Sequence, residues 1–345
     1  MPRPHLTLVR GGRSERSDGP GPPDGSGPSD KSGQRGSTAD ATRRDAAAIE
    51  PLLRRLELTV RNRLDGLLQG NYQGLLPGPG SEAGESRQYT PGDDVRRMDW
   101  PVTARTTVPH VRQTIADREL EAWLAVDLSP SLDFGTGNCD KRELALAAIT
   151  ALVQLTARGG NRVGAVVTTG ERLQRIPARA GNPHARRLVR DIAELPRAAS
   201  GQRGDLAALL EALRRPPRRR GLVAVVSDFL GDLDWERPLR ALGGRHQLLA
   251  VEVVDPRELG LPPAGLVTFV DPETGGQLEA QTSDAKLRAR YAQAAGAQRA
   301  AIATALRHAG AAHLRLRTDQ DWVADIVRFV LAQRGAYAIG RRAVR

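Results

Sequence analysis

Asp127, Ser129 and Ser131 occupy alternate positions in the segment DLSPS, 127–131. In a tight loop alternate side chains can point to one side, so one carboxylate and two hydroxyls would converge. That set of hard oxygen donors suits magnesium, manganese or calcium. The loop follows the continuously apolar run 123–126, which reads as the end of a central strand buried on both faces. A second apolar run, 221–227 (GLVAVVS), leads into Asp228 and offers a fourth oxygen from a neighbouring strand. The same residues also have a purely structural reading, in which Asp127 and the serines cap the following helix or tie down the loop. Spacing alone leaves both readings open.

Competing chemistries lack their residues. A haloacid-dehalogenase-type phosphatase needs a second acid two positions after its first-strand Asp, and Ser129 stands there. The chain has no Gly-x-Ser-x-Gly elbow and no Gly-x-x-x-x-Gly-Lys-Ser/Thr loop. Its six histidines form no metal-spaced pair, and His110, on an expected strand, reads as structural. A single cysteine, Cys139, excludes an intramolecular disulfide and a Cys-based zinc site.

Positioning the strand-end oxygens requires a sheet, and the surrounding sequence alternates strand and helix. Leu52, Leu53, Leu56, Val60, Leu64, Leu67 and Leu68 recur at helical steps and predict an amphipathic helix over 46–69. A strand pair is expected at 107–116 and 119–128. Helices then fit 141–158, 183–195, 205–215, 235–243, 283–308 and 319–333. Strands fit 162–168, 172–176, 221–227, 246–254 and 312–316, with a hairpin over 265–281 turning at Glu273–Gly276. This order predicts a mostly parallel sheet with helices on both faces, whose sites form at the carboxyl ends of the strands.

On the residues of the strand-end loop, the chain resembles the von Willebrand factor A fold and its metal-ion-dependent adhesion site. The resemblance implies an α/β, Rossmann-like domain holding one divalent cation, magnesium or manganese, through Asp127, Ser129, Ser131 and Asp228. Related sequences supply a threonine before the helix at 205–215. Here that stretch reads Gly204, Asp205, Leu206, leaving Ser200 or Asp205 as conceivable substitutes.

A second resemblance lies upstream. Arg87, Tyr89, Gly92, Asp93, Asp94, Arg96, Asp99, Trp100, Ala104 and Arg105 match the signature of a bacterial family, domain of unknown function number fifty-eight. The similarity runs from about Leu56 to Val254. It implies a non-enzymatic adaptor or co-chaperone that works with a MoxR-type AAA+ ATPase and a client protein. Physically, Asp93, Asp94 and Asp99 could pair with Arg87, Arg96 and Arg105 over packed Tyr89 and Trp100. The segment is then either an ordered turn or a recognition surface, with Arg87, Tyr89, Asp93, Asp94, Arg96, Asp99, Trp100 and Arg105 binding the partner. A metal-free scaffold binding through Arg87–Arg105 is the alternative function, and a metal-dependent hydrolase a more distant one.

The formal charge of +11 is spread along the chain and aromatics are only 3%, which argues against a nucleic-acid surface. The dense patch Arg214, Arg215, Arg218, Arg219 and Arg220 reads as a solvated turn. No apolar run reaches the roughly 18–20 residues of a membrane helix, and the N-terminus lacks a secretory apolar core, so a cytoplasmic protein is expected. Three regions are predicted: a disordered Gly/Pro/Ser-rich tail at 1–45, a helix and family-signature β segment at 46–118, and the α/β domain at 119–345.

Overall fold

The computed structural model describes residues 7–9, 49–63, 86–90, 98–112, 121–157, 160–170, 172–198, 201–214 and 221–343. Its centre is a six-stranded sheet ordered β11-β8-β7-β4-β5-β6. These strands are β4 (Glu121–Asp127), β5 (Arg162–Thr168), β6 (Leu173–Arg179), β7 (Gly221–Ser227), β8 (Gln247–Val254) and β11 (Ala311–Arg317). All neighbours are parallel except β6, which runs antiparallel to β5 at one edge. The apolar runs become the central strands because both sheet faces are covered. β7 is buried along its whole length, and β4 at every position after Glu121.

Two apolar layers cover the sheet. One holds α1 (residues 49–63), α3 (Lys141–Ala157), α4 (Asn182–Ala193) and α9 (Trp322–Ala343). The other holds α5 (Leu206–Arg214), α6 (Glu236–Gly243) and α8 (Ala285–His308). The chain leaves β4 through α3 on the first face and leaves β7 through α6 on the second. The connections therefore part at the β4–β7 pair, which makes the crevice above Asp127 and Asp228 the switch point of the sheet.

Helix α1 docks by the predicted stripe: Leu56 and Val60 are buried in the first layer, with Ile49, Leu52 and Leu53 partly buried beside them. Leu64, Leu67 and Leu68 lie outside the described residues. Exposed ion pairs ring the contact, Glu57 with Arg186, Glu50 with Arg190 and Arg63 with Asp321. Such pairs contribute at most about 1 kcal/mol each, so the apolar stripe carries the docking.

The structure corrects several expectations. The described part of the run at 107–116, residues 107–112, does not pair with β4. Instead, β3 (His110–Arg112) forms a small antiparallel sheet with β2 (Ser86–Gln88), and a seven-residue helix, α2 (Trp100–Thr106), precedes β3. Asp99 caps that helix, because its carboxylate accepts the Val102 N–H, and Pro101 stands in the first turn, where no N–H is needed. β6 is longer than the predicted 172–176, and α9 continues past 333 to 343. Within the tail expected to be disordered, β1 (Thr7–Val9) is a strand. It pairs with β9 (Leu266–Val270), which also pairs with β10 (Gln277–Gln281) in the predicted hairpin.

Truncating Leu56 to Ala is expected to cost about 2–4 kcal/mol through the buried cavity it leaves. Leu58, on the same helix but 56% exposed, should tolerate the change within about 0.5 kcal/mol. Urea midpoints of the two variants compare them directly, and equal midpoints would show that α1 is not docked.

Candidate functional site

Asp127 ends β4 and Ser227 ends β7, so parallel register brings them side by side. The two carboxylate oxygens of Asp127 accept from different donors: Oδ1 from the Ser129 N–H at 3.0 Å, and Oδ2 from the Ser227 hydroxyl at 2.9 Å. Ser129 Oγ lies 3.2 Å from Ser131 Oγ, and all three residues of the loop are buried. The predicted cluster therefore assembles. Ser131 sits in the short 3₁₀ turn Pro130–Leu132, and the Leu128 N–H donates to Thr168 O on β5 at 2.8 Å, tethering the loop.

The loop at 201–205 passes against the cluster, but Gly204 brings no donor side chain to it. A Cβ on Gly204 would stand 2.7 Å from Ser129 Cβ and 3.4 Å from Asp127 Oδ1. The backbone is thus pressed onto the serine, and a threonine fits only if something moves. Asp205 does not substitute, because its Oδ1 caps α5 by accepting the Ala208 N–H at 2.7 Å. Ser200 lies outside the described residues.

Asp228 is committed elsewhere. Its Oδ2 accepts from Lys141 Nζ at 2.7 Å and its Oδ1 from the Leu230 N–H at 3.1 Å. Between them, Phe229 holds a left-handed backbone at φ 55°, with its N–H on Ser227 Oγ and its ring edge-on to Trp235. A non-glycine residue in that region costs of order 1 kcal/mol or more, and here packing sustains it.

Lys141 opens α3 and is 1% exposed; a second bond ties it to Glu258 Oε1 at 2.5 Å. Glu258 Oε2 accepts Arg299 Nη2, while Arg299 Nη1 reaches both Glu252 and the Asp228 carbonyl. Glu252, buried mid-strand on β8, also accepts from His313 and Arg315 of β11. Asp255 closes the same edge, accepting from Thr136 and Thr318 and capping the short helix α7 (Pro256–Leu259). The loops after β4, β7, β8 and β11 are thereby joined through buried charge.

The electrostatics are uneven. Burial works to depress the Lys141 ammonium, but Asp228 and Glu258 outweigh it and hold the proton more firmly than usual. Burial likewise works to raise Glu252, and the hydrogen bond from His313 with the charges of Arg299 and Arg315 brings it below the ordinary range. For Asp127 no cation among the described residues answers burial: desolvation and the charge of Asp228 push its carboxyl up, against weaker hydrogen bonds from Ser129 and Ser227. Glu273, at the tip of the β9–β10 hairpin, is pushed up to about 7 by burial and by Asp228 and Asp127, with Arg203 opposing from 3.9 Å.

Asp127, Ser129 and Ser131 thus fit a hard divalent cation as three protein oxygens beside excess negative charge. Asp228, turned to Lys141, fits a supporting position better than a direct ligand. Among the described residues no group of three or more His, Cys, Asp or Glu side chains is placed to hold a metal.

The upstream cluster stands on other elements. Trp100 is 66% exposed at the start of α2, not packed beneath charged pairs as expected. Arg105 Nε donates to the Pro101 carbonyl within its own helix, and half-buried Tyr89 donates its N–H to Pro109 O. His110 is structural, as expected, with its ring hydrogen-bonded at Val108 O. Arg87 contributes backbone to β2, whereas Asp93, Asp94 and Arg96 lie outside the described residues. Of the arginine patch, only Arg214 is described, paired with Glu211.

Sequence reasoning passed over Lys141, Glu258, Arg299 and Glu273. One signal was present: the chain has only three lysines, Lys31, Lys141 and Lys286, against a large excess of arginine. A compact ammonium fits between two carboxylates where a planar guanidinium does not.

An α/β protein with a polar cluster at its switch point is the class this geometry defines. The chain belongs to the family described as "Protein of unknown function DUF58", whose pattern matches residues 85–301. It is 56% identical over 295 residues to the uncharacterized proteins Rv1480 of Mycobacterium tuberculosis and Mb1516 of Mycobacterium bovis, covering 85% of this chain and 93% of each relative. Among solved structures it is similar to BatB from Bacteroides thetaiotaomicron, at 16% identity and a TM-score of 0.38 over 62% of this chain and 98% of that one. At that score the likeness is too slight to argue from.

Two outcomes follow. Replacing Lys141 by Met leaves Asp228 and Glu258 buried without their cation and should cost about 3–5 kcal/mol in urea denaturation. Adding Asp228→Asn should recover part of that loss. Because the folded state holds a proton on Glu273 more tightly than the unfolded chain, stability should fall as pH rises from about 4.5 to about 7, with Asp127 adding in the same direction. Melting temperatures of Glu273→Gln should show a flatter pH profile across that window; an unchanged profile refutes the assignment.

Proposed function

We propose that this chain is a non-enzymatic, protein-binding adaptor with a von Willebrand factor A-like fold, acting in the cytoplasm with a MoxR-type AAA+ ATPase and a client protein. The observation that carries the reading is the convergence of Asp127, Ser129 and Ser131 at the β4–β7 switch point, with the Asp127 carboxylate left uncompensated. The strand order and the single antiparallel edge strand agree with that fold. Of the two strand-end acids that a hydrolase would use, Asp228 is already engaged by Lys141. Bound magnesium or manganese would supply an attachment point for an acidic side chain of the partner. The chain's own part is to hold three oxygens together, to keep Asp228 turned away through Lys141, and to exclude bulk water by burial. No described helix is long and apolar enough to cross a membrane.

A second reading is favoured by one observation. Trp100, a large aromatic two-thirds exposed, stands within the family signature and could anchor a partner without any cation. Co-purification with the MoxR-type ATPase separates the two. Asp127→Ala should reduce recovery about tenfold or more while Trp100→Ala leaves it near the parent level. Loss with Trp100→Ala alone would move the contact to α2, and equal recovery of the parent chain and Asp127→Ala would remove the strand-end site from the interaction.

A further inference from the structure

The three-stranded sheet β1-β9-β10 stands outside the main sheet, and its outer strand comes from the far end of the chain. β1 pairs antiparallel with β9 in the register Thr7 with Val270, Leu8 with Phe269 and Val9 with Thr268. The hairpin partner β10 pairs with the opposite edge of β9 over five residues, from Gln277 with Val270 to Gln281 with Leu266. β9 is therefore a central strand only while β1 is in place. Without β1, the backbone N–H and C=O groups of 268–270 would form an open edge, which folded proteins generally cover.

β9 is also fixed to the body. Phe269 and Val267 are buried, whereas Leu266 and Leu278 stay 65% and 50% exposed. Beyond β9 the tip of the hairpin reaches the strand-end site. Asp271 closes the turn by accepting the Glu273 N–H and the Thr274 hydroxyl, and the Gly201 N–H donates to Pro272 O at 3.1 Å. Gly201 opens the loop that carries Gly204 onto Ser129, and Glu273 faces Arg203 of that loop. A continuous line of backbone pairing thus runs from Thr7–Val9 through β9 and the 271–276 turn to the loop beside Asp127.

The N-terminal strand is short, and residues 10–48 separate it from α1. A pairing of three residues gains few hydrogen bonds against the entropy of holding together two points so far apart along the chain. Such a contact has far fewer ladder bonds to hold it than the seven- and eight-residue strands of the main sheet.

We propose that the β9 edge is a strand-addition site whose resident occupant is the chain's own segment Thr7–Val9. The segment covers the edge, steadies the β9–β10 hairpin and, through the 271–276 turn, steadies the loop at Gly201–Gly204. Main-chain pairing supplies the contact, and alternate side chains of an extended segment supply its selectivity. The kind of partner that can compete is an extended peptide of similar alternation to residues 6–9, Leu-Thr-Leu-Val.

Hydrogen exchange on the full chain tests this without reference to any ATPase or cation. Leu8→Pro removes a backbone donor and fixes a dihedral within the pairing. Amides of 267–270 should exchange about tenfold or more faster in Leu8→Pro, and the Gly201 amide should follow. Amides of β4 and β7 should stay protected, which reports that the domain remains folded. A chain lacking residues 1–12 should behave like Leu8→Pro, and a synthetic peptide of residues 4–12 should restore protection at 267–270, whereas its Leu8→Pro version should not. Unchanged exchange at 267–270 in both variants overturns the proposal, as does failure of the parent peptide to restore protection to the truncated chain.

Discussion

A buried lysine between two acids is the constraint on which the carboxyl edge of this sheet depends. Lys141 Nζ bonds Asp228 and Glu258 in a place that water does not reach. Taking these charges out of water costs several kcal/mol per ion, so the arrangement holds only because each carboxylate has further donors. The Leu230 N–H supplies one to Asp228, and Arg299 supplies one to Glu258 while also bonding Glu252 and the Asp228 backbone carbonyl. Helices α3 and α8 lie on opposite faces of the sheet, and this network joins the start of α3 to the body of α8 around the strand termini.

The consequence for the site is one of charge balance. Asp228 is ion-paired and oriented by Lys141, so it does not swing freely toward Asp127. Asp127 is left with neutral donors only, the Ser129 N–H and the Ser227 hydroxyl. Its carboxyl is raised by burial and by its charged neighbour, and Glu273 responds in the same sense. A region in which burial and neighbouring carboxylates raise both acids favours a cation or a cationic partner group. That bias, and not any single ligand distance, underlies the binding role proposed for the strand-end loop.

The sequence disclosed the sheet well and its trimmings poorly. β5 and β7 fall on their predicted bounds because an apolar run between polar ends has one physical use in an α/β domain. The convergence of Asp127, Ser129 and Ser131 was legible for the same reason, since strand ends fix where a loop begins. The fate of Asp228 was not legible, because Lys141 lies 87 residues away and only the folded sheet brings them together. Nor was the exposure of Trp100, where hydrophobicity argued for burial and the short helix α2 turned it outward. β1 escaped notice because three residues carry no periodicity, and its pairing partner is more than 250 positions distant.

The central claim is that Asp127 sits in an oxygen-lined site with unanswered negative charge. The most direct measurement is the titration of its side-chain carboxyl by carbon-13 NMR, with and without magnesium, assigned by Asp127→Asn. The account predicts a midpoint above the ordinary 3.8 without the ion and a lower midpoint when magnesium is added. A midpoint at the ordinary value that magnesium does not move would contradict it.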